Sequence, residues 1–327
     1  MDSATLRSAI RGSRPLAVFT VAMAVLAVVC LVGLLLDPRL LGGQPIWAKP
    51  FKFSVSFVLY GATLTCMISL VTAPAARRRA RRLGTVLATA GSIEMVAIVG
   101  QVIRGRASHF NVATPLDIAI WSTMGATIVV LWIATAGIAL LLLRERTLPM
   151  ATAWAVRLGL AVTLLGMAAA FLMTGPTGAQ IAAADTTGMP TAGAHAVGVA
   201  DGGPGLPLLG WSTTGGDLRI GHFIGLHTLQ GLPLLALGLA WLASRLPALR
   251  SERVRAHLVA VAGAAWATLT IGLTWQALRG QPLIAPDGLT LTALAALLVA
   301  TAAGVAVVLR RGAAAPAASA ETPEPVR

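Results

Sequence analysis

Long apolar segments alternate with short polar ones along the whole 327-residue chain. Runs of about 20 mostly apolar residues are long enough to cross the hydrocarbon core of a bilayer as helices. We predict eight such spans, near residues 15–36, 51–72, 83–103, 118–142, 153–174, 219–243, 256–278 and 288–309. The pattern therefore predicts an all-α integral membrane protein.

The composition supports this fold class. Hydrophobic residues make up 56% of the chain and charged residues only 11%, with a mean hydropathy of +0.80, whereas soluble domains usually contain about 25% charged residues. The net charge of +13 would suggest a nucleic-acid partner in a soluble protein. In a multi-pass protein, however, excess arginine marks cytoplasmic segments. We therefore expect the lipid bilayer as a partner and no nucleic acid.

The positions of the basic residues predict the orientation. With the N-terminus inside, 18 of the 25 Lys and Arg residues fall in inner segments and seven in outer ones. The positive-inside rule then places both termini in the cytoplasm and the protein in the cytoplasmic (inner) membrane. The first apolar run follows Arg7, Arg11 and Arg14, but it is long enough to span, so we interpret it as an anchor and not a signal peptide.

Two segments contain no predicted span. The Ala- and Pro-rich tail, 312–327, is expected to be disordered on the cytoplasmic side. The outer loop, 175–218, is rich in Gly, Ala and Thr and contains no Lys or Arg. A lid over a site and a flexible tether are both compatible with this composition.

Three polar motifs occur twice in the same order. A basic-x-x-basic-Phe pattern occurs at 49–53 and at 219–223, and a Gln-x-x-Arg-Gly pattern occurs at 101–105 and at 276–280. A Pro and an Asp also precede the fourth and the eighth span.

This recurrence indicates a duplication. Chance similarity between Ala-, Leu- and Gly-rich helices is the alternative, and we favour a duplication because polar residues carry the match. We predict two parallel four-helix repeats, residues 1–150 and 151–311, related by an axis along the membrane normal.

Polar stripes run along the second, third and sixth spans at their outer ends. Ionisable residues inside a membrane are costly and are functional candidates by default. Glu94 lies ten residues before Arg104, about 15 Å below the outer end of its helix. We predict one outer pocket around Glu94 and His227, with the two residues paired. The candidate ligand-binding residues are Lys49, Lys52, Tyr60, Glu94, Gln101, Arg104, Arg106, His109, Asn111, Asp117, Asp217, Arg219, His222, His227 and Gln230.

The favoured function is the binding or transport of an anionic small molecule or lipid headgroup. The outer basic residues offer hydrogen-bond donors to a carboxylate or a phosphate. Glu94 and His227 are candidates to carry a proton, because histidine titrates near neutral pH.

Two alternatives remain open. The first is a membrane-embedded metal-dependent enzyme acting at the outer leaflet, with Glu94, His109, His222 and His227 as candidate ligands. The second is a haem-binding redox protein, because two four-helix halves resemble the heme A synthase family. That family places histidines on two helices of each half, whereas the second, fourth and eighth spans here contain none. The sequence therefore assigns no cofactor.

The segments WAKPFKFS, RGRASHFN and GDLRIGHFIGLH contain many of these candidates. They resemble segments of a family of bacterial multi-pass membrane proteins. The resemblance covers a minor part of the chain and implies no activity.

Overall fold

The computed structural model describes residues 12–314. Arg7, Arg11 and nearly all of the tail predicted to be disordered lie outside this range. The last helix continues to Ala314, so the first residues of that predicted tail are helical.

The described chain is mostly helical. The α-helices are α1 Arg14–Leu36, α2 Ala48–Ser69, α3 Pro74–Ile103, α4 Pro115–Leu143, α5 Met150–Ala169, α6 Gly178–Thr187, α7 Leu218–Leu226, α8 Thr228–Leu242, α9 Glu252–Leu278 and α10 Gly288–Ala314. Short 3-10 helices lie at Ala170–Met173 and Pro247–Leu249. Two antiparallel pairs of two-residue strands join β1 Leu40–Leu41 to β2 Gln44–Pro45 and β3 Ala196–Val197 to β4 Gly216–Asp217.

Within residues 12–314, seven helices are long and apolar enough to cross a membrane, and the bent pair α7–α8 makes an eighth span. The prediction of a multi-pass helical membrane protein is confirmed at this level. We call the end of the bundle where α3 ends and α4 begins the outer end, and the opposite, arginine-rich end the inner end.

The third span begins earlier than predicted. Helix α3 starts at Pro74, not near residue 83, so the run Arg77–Arg82 is helical and not part of a loop. Proline fits the first turn of a helix, where its missing N–H is not needed. Alanine and arginine are strong helix formers, which explains why the helix extends past the apolar run.

The sixth span is broken at His227, where α7 and α8 meet with a 40° bend. Pro233 in α8 cannot donate a backbone hydrogen bond, which favours a bend here. Neighbouring side chains satisfy the carbonyls at the break: Trp266 Nε1 donates to the Ile224 carbonyl at 2.8 Å, and Thr163 Oγ1 donates to the Leu226 carbonyl at 3.2 Å. The bend is therefore supported by the surrounding helices.

The helices pack in two groups that share a core. Helices α1 to α4 pack consecutively, and α5, α7, α8 and α9 form a second group, with α10 against α9. The groups meet where α4 contacts α5 and α2 contacts α8. The main apolar core lies in the first group and includes Val156, Leu160 and Leu229 from the second. The two-repeat organisation itself stays a prediction.

A close backbone crossing joins α5 to α7. A Cβ atom at Gly225 would lie 2.6 Å from the Cα of Gly166, a distance that real Cβ contacts do not show. Backbone atoms cannot move aside as a flexible side chain can, so only glycine fits at this crossing.

We expect Gly225→Ala to destabilise the protein by about 1–3 kcal/mol, because the added methyl group overpacks this crossing. Gly238→Ala is the matched control on the same broken span, since a Cβ there meets no atom within 4 Å. Thermal unfolding in detergent measures the difference. Equal midpoints for the two variants would show that the crossing is not this tight.

Candidate functional site

The outer ends of α3 and α4 are held together by a buried carboxylate. Asp117 is fully buried; its Oδ1 accepts from Arg104 Nη1 at 2.8 Å and from Gln101 Nε2 at 2.9 Å. Thr114 Oγ1 donates to Asp117 Oδ2 at 2.7 Å. A buried charge is tolerated when it is paired and hydrogen-bonded in this way. We call Gln101, Arg104 and Asp117 the first clasp, whose charges already compensate one another.

A second clasp joins α9 to α10 and consists of Arg279 and Asp287. Arg279 donates to both oxygens of Asp287, at 2.5 and 3.3 Å, and these hydrogen bonds hold the pKa of that carboxyl below its usual range. Gly105 and Gly280 follow the two arginines with φ of 67° and 70°. The Arg–Asp pair therefore recurs in the two Gln-x-x-Arg-Gly motifs, and each glutamine donates to the carbonyl six residues later, Ala107 and Pro282.

A third Asp–Arg pair begins α7. Asp217 is fully buried and caps the helix by accepting from the backbone N–H of Arg219 at 3.0 Å. The Arg219 guanidinium donates to both carboxylate oxygens. It also donates to the Gly210 carbonyl at 2.6 Å, which fastens the outer loop to the start of this helix.

The outer loop is folded against the loop between α3 and α4. The Ala192 N–H donates to the Phe110 carbonyl at 2.8 Å, and the Val112 N–H donates to the Pro190 carbonyl at 2.9 Å. Thr177 and Gln180 form a reciprocal capping box at the start of α6. We call 104–114 together with 175–218 the outer cap. In this structure the segment 175–218 is a folded cover and not an extended tether.

A buried carboxyl group lies beneath the outer cap. The side chain of Glu94 is 0% exposed. Its Oε2 accepts from Thr127 Oγ1 at 3.1 Å, while Oε1 has no hydrogen-bond partner. His109 Nε2 lies 3.8 Å from Oε1, beyond hydrogen-bond range. Lys49 lies within electrostatic reach of both groups. We call Lys49, Lys52, Glu94 and His109 the outer cluster.

His109 is held among aromatic rings. Its ring centroid lies 5.5 Å from that of Phe53 and 5.5 Å from that of Trp121. Burial lowers the pKa of His109 well below the usual histidine value, and the nearby Lys49 and His195 lower it further. The imidazole is therefore neutral near pH 7.

The residue after His109 has an unusual backbone. Phe110 has a φ of 62°, a left-handed conformation that a bulky residue rarely adopts. Its ring packs edge-on against Trp121 and against His195, with centroids 5.2 and 4.8 Å away. The outer cap thus holds the His109 turn in a conformation that costs energy by itself.

His195 forms a contact within the outer cap. Its Nδ1 lies 2.7 Å from Asp201 Oδ2. Burial alone would raise the pKa of Asp201, but hydrogen bonds from the His195 ring and from the backbone lower it to about 2. Burial lowers the pKa of His195 despite this partner. His195 thus has a structural role in the cap, and it lies close enough to His109 to lower the pKa of that residue.

The outer basic residues differ in how their charge is compensated. Arg39, Arg104, Arg219 and Arg279 each pair with an aspartate. In the described range, no carboxylate lies within ion-pair distance of Lys49, Lys52 or Arg106. Arg106 is exposed on its loop, whereas both lysines are half-buried. Lys52 Nζ donates to the Leu209 carbonyl at 3.1 Å.

Several predicted site residues instead make contacts within the scaffold. The Tyr60 hydroxyl hydrogen-bonds Thr135 Oγ1 between α2 and α4. Asn111 Nδ2 donates to the Ala107 carbonyl at 3.1 Å within its loop. His222 Nδ1 donates to the Gly166 carbonyl at 2.8 Å, linking α7 to α5.

The predicted pairing of Glu94 with His227 is wrong. Glu94 lies beside His109. His227, at the break between α7 and α8, lies with Nδ1 3.3 Å from Gln230 Oε1. Gln230 Nε2 in turn donates to Thr63 Oγ1 at 3.3 Å. Helix α3, which carries Glu94, packs against α1, α2 and α4, whereas the two helices that meet at His227 pack against α5 and α9 and, through α8, against α2.

The four candidate metal ligands separate into two places. Glu94 and His109 lie together, whereas His222 and His227 have partners elsewhere. In the part of the chain that the structure describes, no three His, Cys, Asp or Glu residues are grouped so that they could hold a metal.

No protein-family model, curated protein or solved structure matches this chain.

The lowered pKa of His109 predicts a pH dependence of stability. The unfolded chain takes up a proton near the ordinary histidine value of about 6.5, whereas the folded chain does not. The stabilising contribution is thus complete above that pH and is lost as the pH falls below it, by up to about 1.4 kcal/mol per pH unit.

We therefore expect the thermal midpoint in detergent to fall between pH 7.5 and pH 5.5, and to fall less in His109→Gln. His195 contributes in the same direction, so the variant removes only part of the slope. Exposed His257 provides the control, since His257→Gln should behave as wild type. A wild-type slope in His109→Gln would contradict this.

Proposed function

We propose that the protein binds an anionic small molecule or lipid headgroup at its outer face through Lys49 and Lys52, and that it transports or holds this ligand with a coupled proton. The observation that carries the proposal is the difference between the outer cations. Four arginines each have their own aspartate, whereas the two half-buried lysines have none.

Charge compensation gives the physical reason. A cation that is partly removed from water is stabilised by an anionic partner. Lys49 and Lys52 are three residues apart on α2, so their side chains lie on the same face of the helix. Two ammonium groups on one face suit a single carboxylate or phosphate, which accepts several charge-assisted hydrogen bonds.

Glu94 supplies a route to proton coupling. The positive charge of Lys49 acts on the Glu94 carboxyl group. An anion bound at Lys49 would offset that charge, so binding would favour protonation of Glu94. Its buried Oε1, which has no hydrogen-bond partner, is a position where a proton can reside.

The outer cap would control access. The Leu209 and Gly210 carbonyls accept from Lys52 and Arg219 respectively, so this part of the outer cap lies against Lys52. Leu208 beside them has a φ of 65° and is 89% exposed. An entering anion would replace the Leu209 carbonyl as the partner of Lys52. If the arginine-rich end lies on the cytoplasmic side of an inner membrane, this entrance would face the opposite side.

A comparison of two outer cations tests the proposal. The purified chain is titrated with inorganic phosphate, succinate and glycerol 3-phosphate, and binding is followed by calorimetry. For whichever anion binds, we expect Lys52→Gln to raise the Kd roughly tenfold or more, because it removes a charge-assisted hydrogen bond.

Arg106→Gln is the matched control, since it removes an outer positive charge that is exposed and outside the outer cluster. We expect this variant to change the Kd less than twofold. Equal losses in the two variants would indicate attraction to the net surface charge. A failure of all three anions to bind would contradict the proposal.

A further inference from the structure

A groove at the inner end of α3 and α4 combines apolar walls with a basic mouth. It is open to the surroundings and has a volume of about 420 Å³, within the range of ligand pockets, roughly 300–1,000 Å³. The apolar wall consists of Leu83, Val86, Gly137, Leu140 and Leu141. The mouth consists of Arg79, Arg82 and Arg144. We call these eight residues the inner groove.

The sequence places these residues on facing stripes of the two helices. On α3 the lining residues fall at 79, 82, 83 and 86, and on α4 and its C-cap at 137, 140, 141 and 144, which is the same i, i+3, i+4, i+7 spacing. Residues with this spacing share one helix face. Because α3 and α4 are antiparallel neighbours, all three arginines lie at the inner end and the apolar residues lie deeper.

The depth of the groove suits a lipid chain. At a rise of 1.5 Å per residue, Val86 lies about 6 Å below Arg82, and Gly137 about 10 Å below Arg144. Leu83 Cδ1 lies 2.9 Å from the position that a Cβ at Gly137 would occupy. The missing side chain therefore leaves room in the wall for Leu83.

The charge at the mouth has no protein partner in residues 12–314. Arg79, Arg82 and Arg144 are exposed, and no ion pair includes any of them. The same end of the bundle does pair arginine with an acid elsewhere, since Arg255 contacts Glu252. The three arginines are thus a site of uncompensated positive charge beside an apolar surface.

We infer that the inner groove binds an anionic phospholipid of the leaflet on that side. The phosphate would lie among the three arginines, which are suited to phosphate by geometry and charge. One acyl chain would lie along the apolar stripe between α3 and α4. Basic pockets between transmembrane helices suit anionic headgroups for this reason. The proposal concerns the opposite end of the bundle from the outer cluster and does not depend on the function proposed for that cluster.

Lipid titration tests the inference on the full chain. The protein is stripped of co-purified lipid in detergent and titrated with phosphatidylglycerol or with phosphatidylcholine of the same acyl chains. Native mass spectrometry counts the bound lipids. We expect one phosphatidylglycerol to bind at least tenfold more tightly than phosphatidylcholine. Equal binding of the two lipids would overturn the proposal.

Two variants separate the mouth from the wall. Arg82→Gln with Arg144→Gln should raise the Kd for phosphatidylglycerol roughly 10- to 30-fold. Leu140→Trp should also weaken binding severalfold, because it fills the groove and leaves the arginines intact. Leu140 is 56% exposed and the arginines are exposed as well, so these changes leave the core unaltered.

The control variant also removes two positive charges from the inner end, but at positions that do not line the inner groove. Arg250→Gln with Arg253→Gln should change the Kd less than threefold, since both arginines are exposed and do not line the groove. Equal losses in the two double variants would show a diffuse attraction to surface charge. Wild-type binding by Leu140→Trp would show that no lipid chain enters the groove. Either result would overturn the inference.

Discussion

A charged group near the hydrocarbon core of a bilayer has no water to solvate it, and this constraint governs the arrangement of the bundle. Asp117 and Asp217 are fully buried, and each is neutralised by an arginine at the end of a helix. The broken span obeys the same rule, since Trp266 and Thr163 satisfy carbonyls that the bend exposes. The outer ends of the helices are therefore fixed by electrostatic pairs as well as by apolar packing.

The charged groups that lack a partner of opposite charge indicate the candidate functional sites. Lys49 and Lys52 have no carboxylate at ion-pair distance among the described residues, and Glu94 Oε1 has no donor. At the inner end, the three arginines of the inner groove have no acidic partner there either. Uncompensated charge beside a buried or apolar surface is the chemistry that an amphiphilic or anionic ligand completes.

The sequence predicts the number of spans and the outer level of the polar residues, because apolar length and polar stripes determine both. The alignment of α3 with α4 also follows from residue counting once Arg104 is placed opposite Asp117. Ten residues inward along each helix, Glu94 then lies level with Thr127, and the two side chains are hydrogen-bonded. The partner of Glu94 depends on tertiary contacts that the sequence pattern does not show. The packing of α7 and α8 against α5 and α9 leaves His227 without Glu94 as a partner, and the folding of the outer cap places His109 beside Glu94 instead.

The coupling between Lys49 and Glu94 is the part of the account on which the proposed site depends. A double-mutant cycle with Lys49→Met and Glu94→Gln, read by unfolding in detergent near neutral pH, measures it. Each single variant removes the same longer-range attraction between the two side chains, so the double variant should lose less stability than the sum of the two single losses. Additive losses would mean that the two groups do not interact, and would contradict a site built from Lys49 and Glu94.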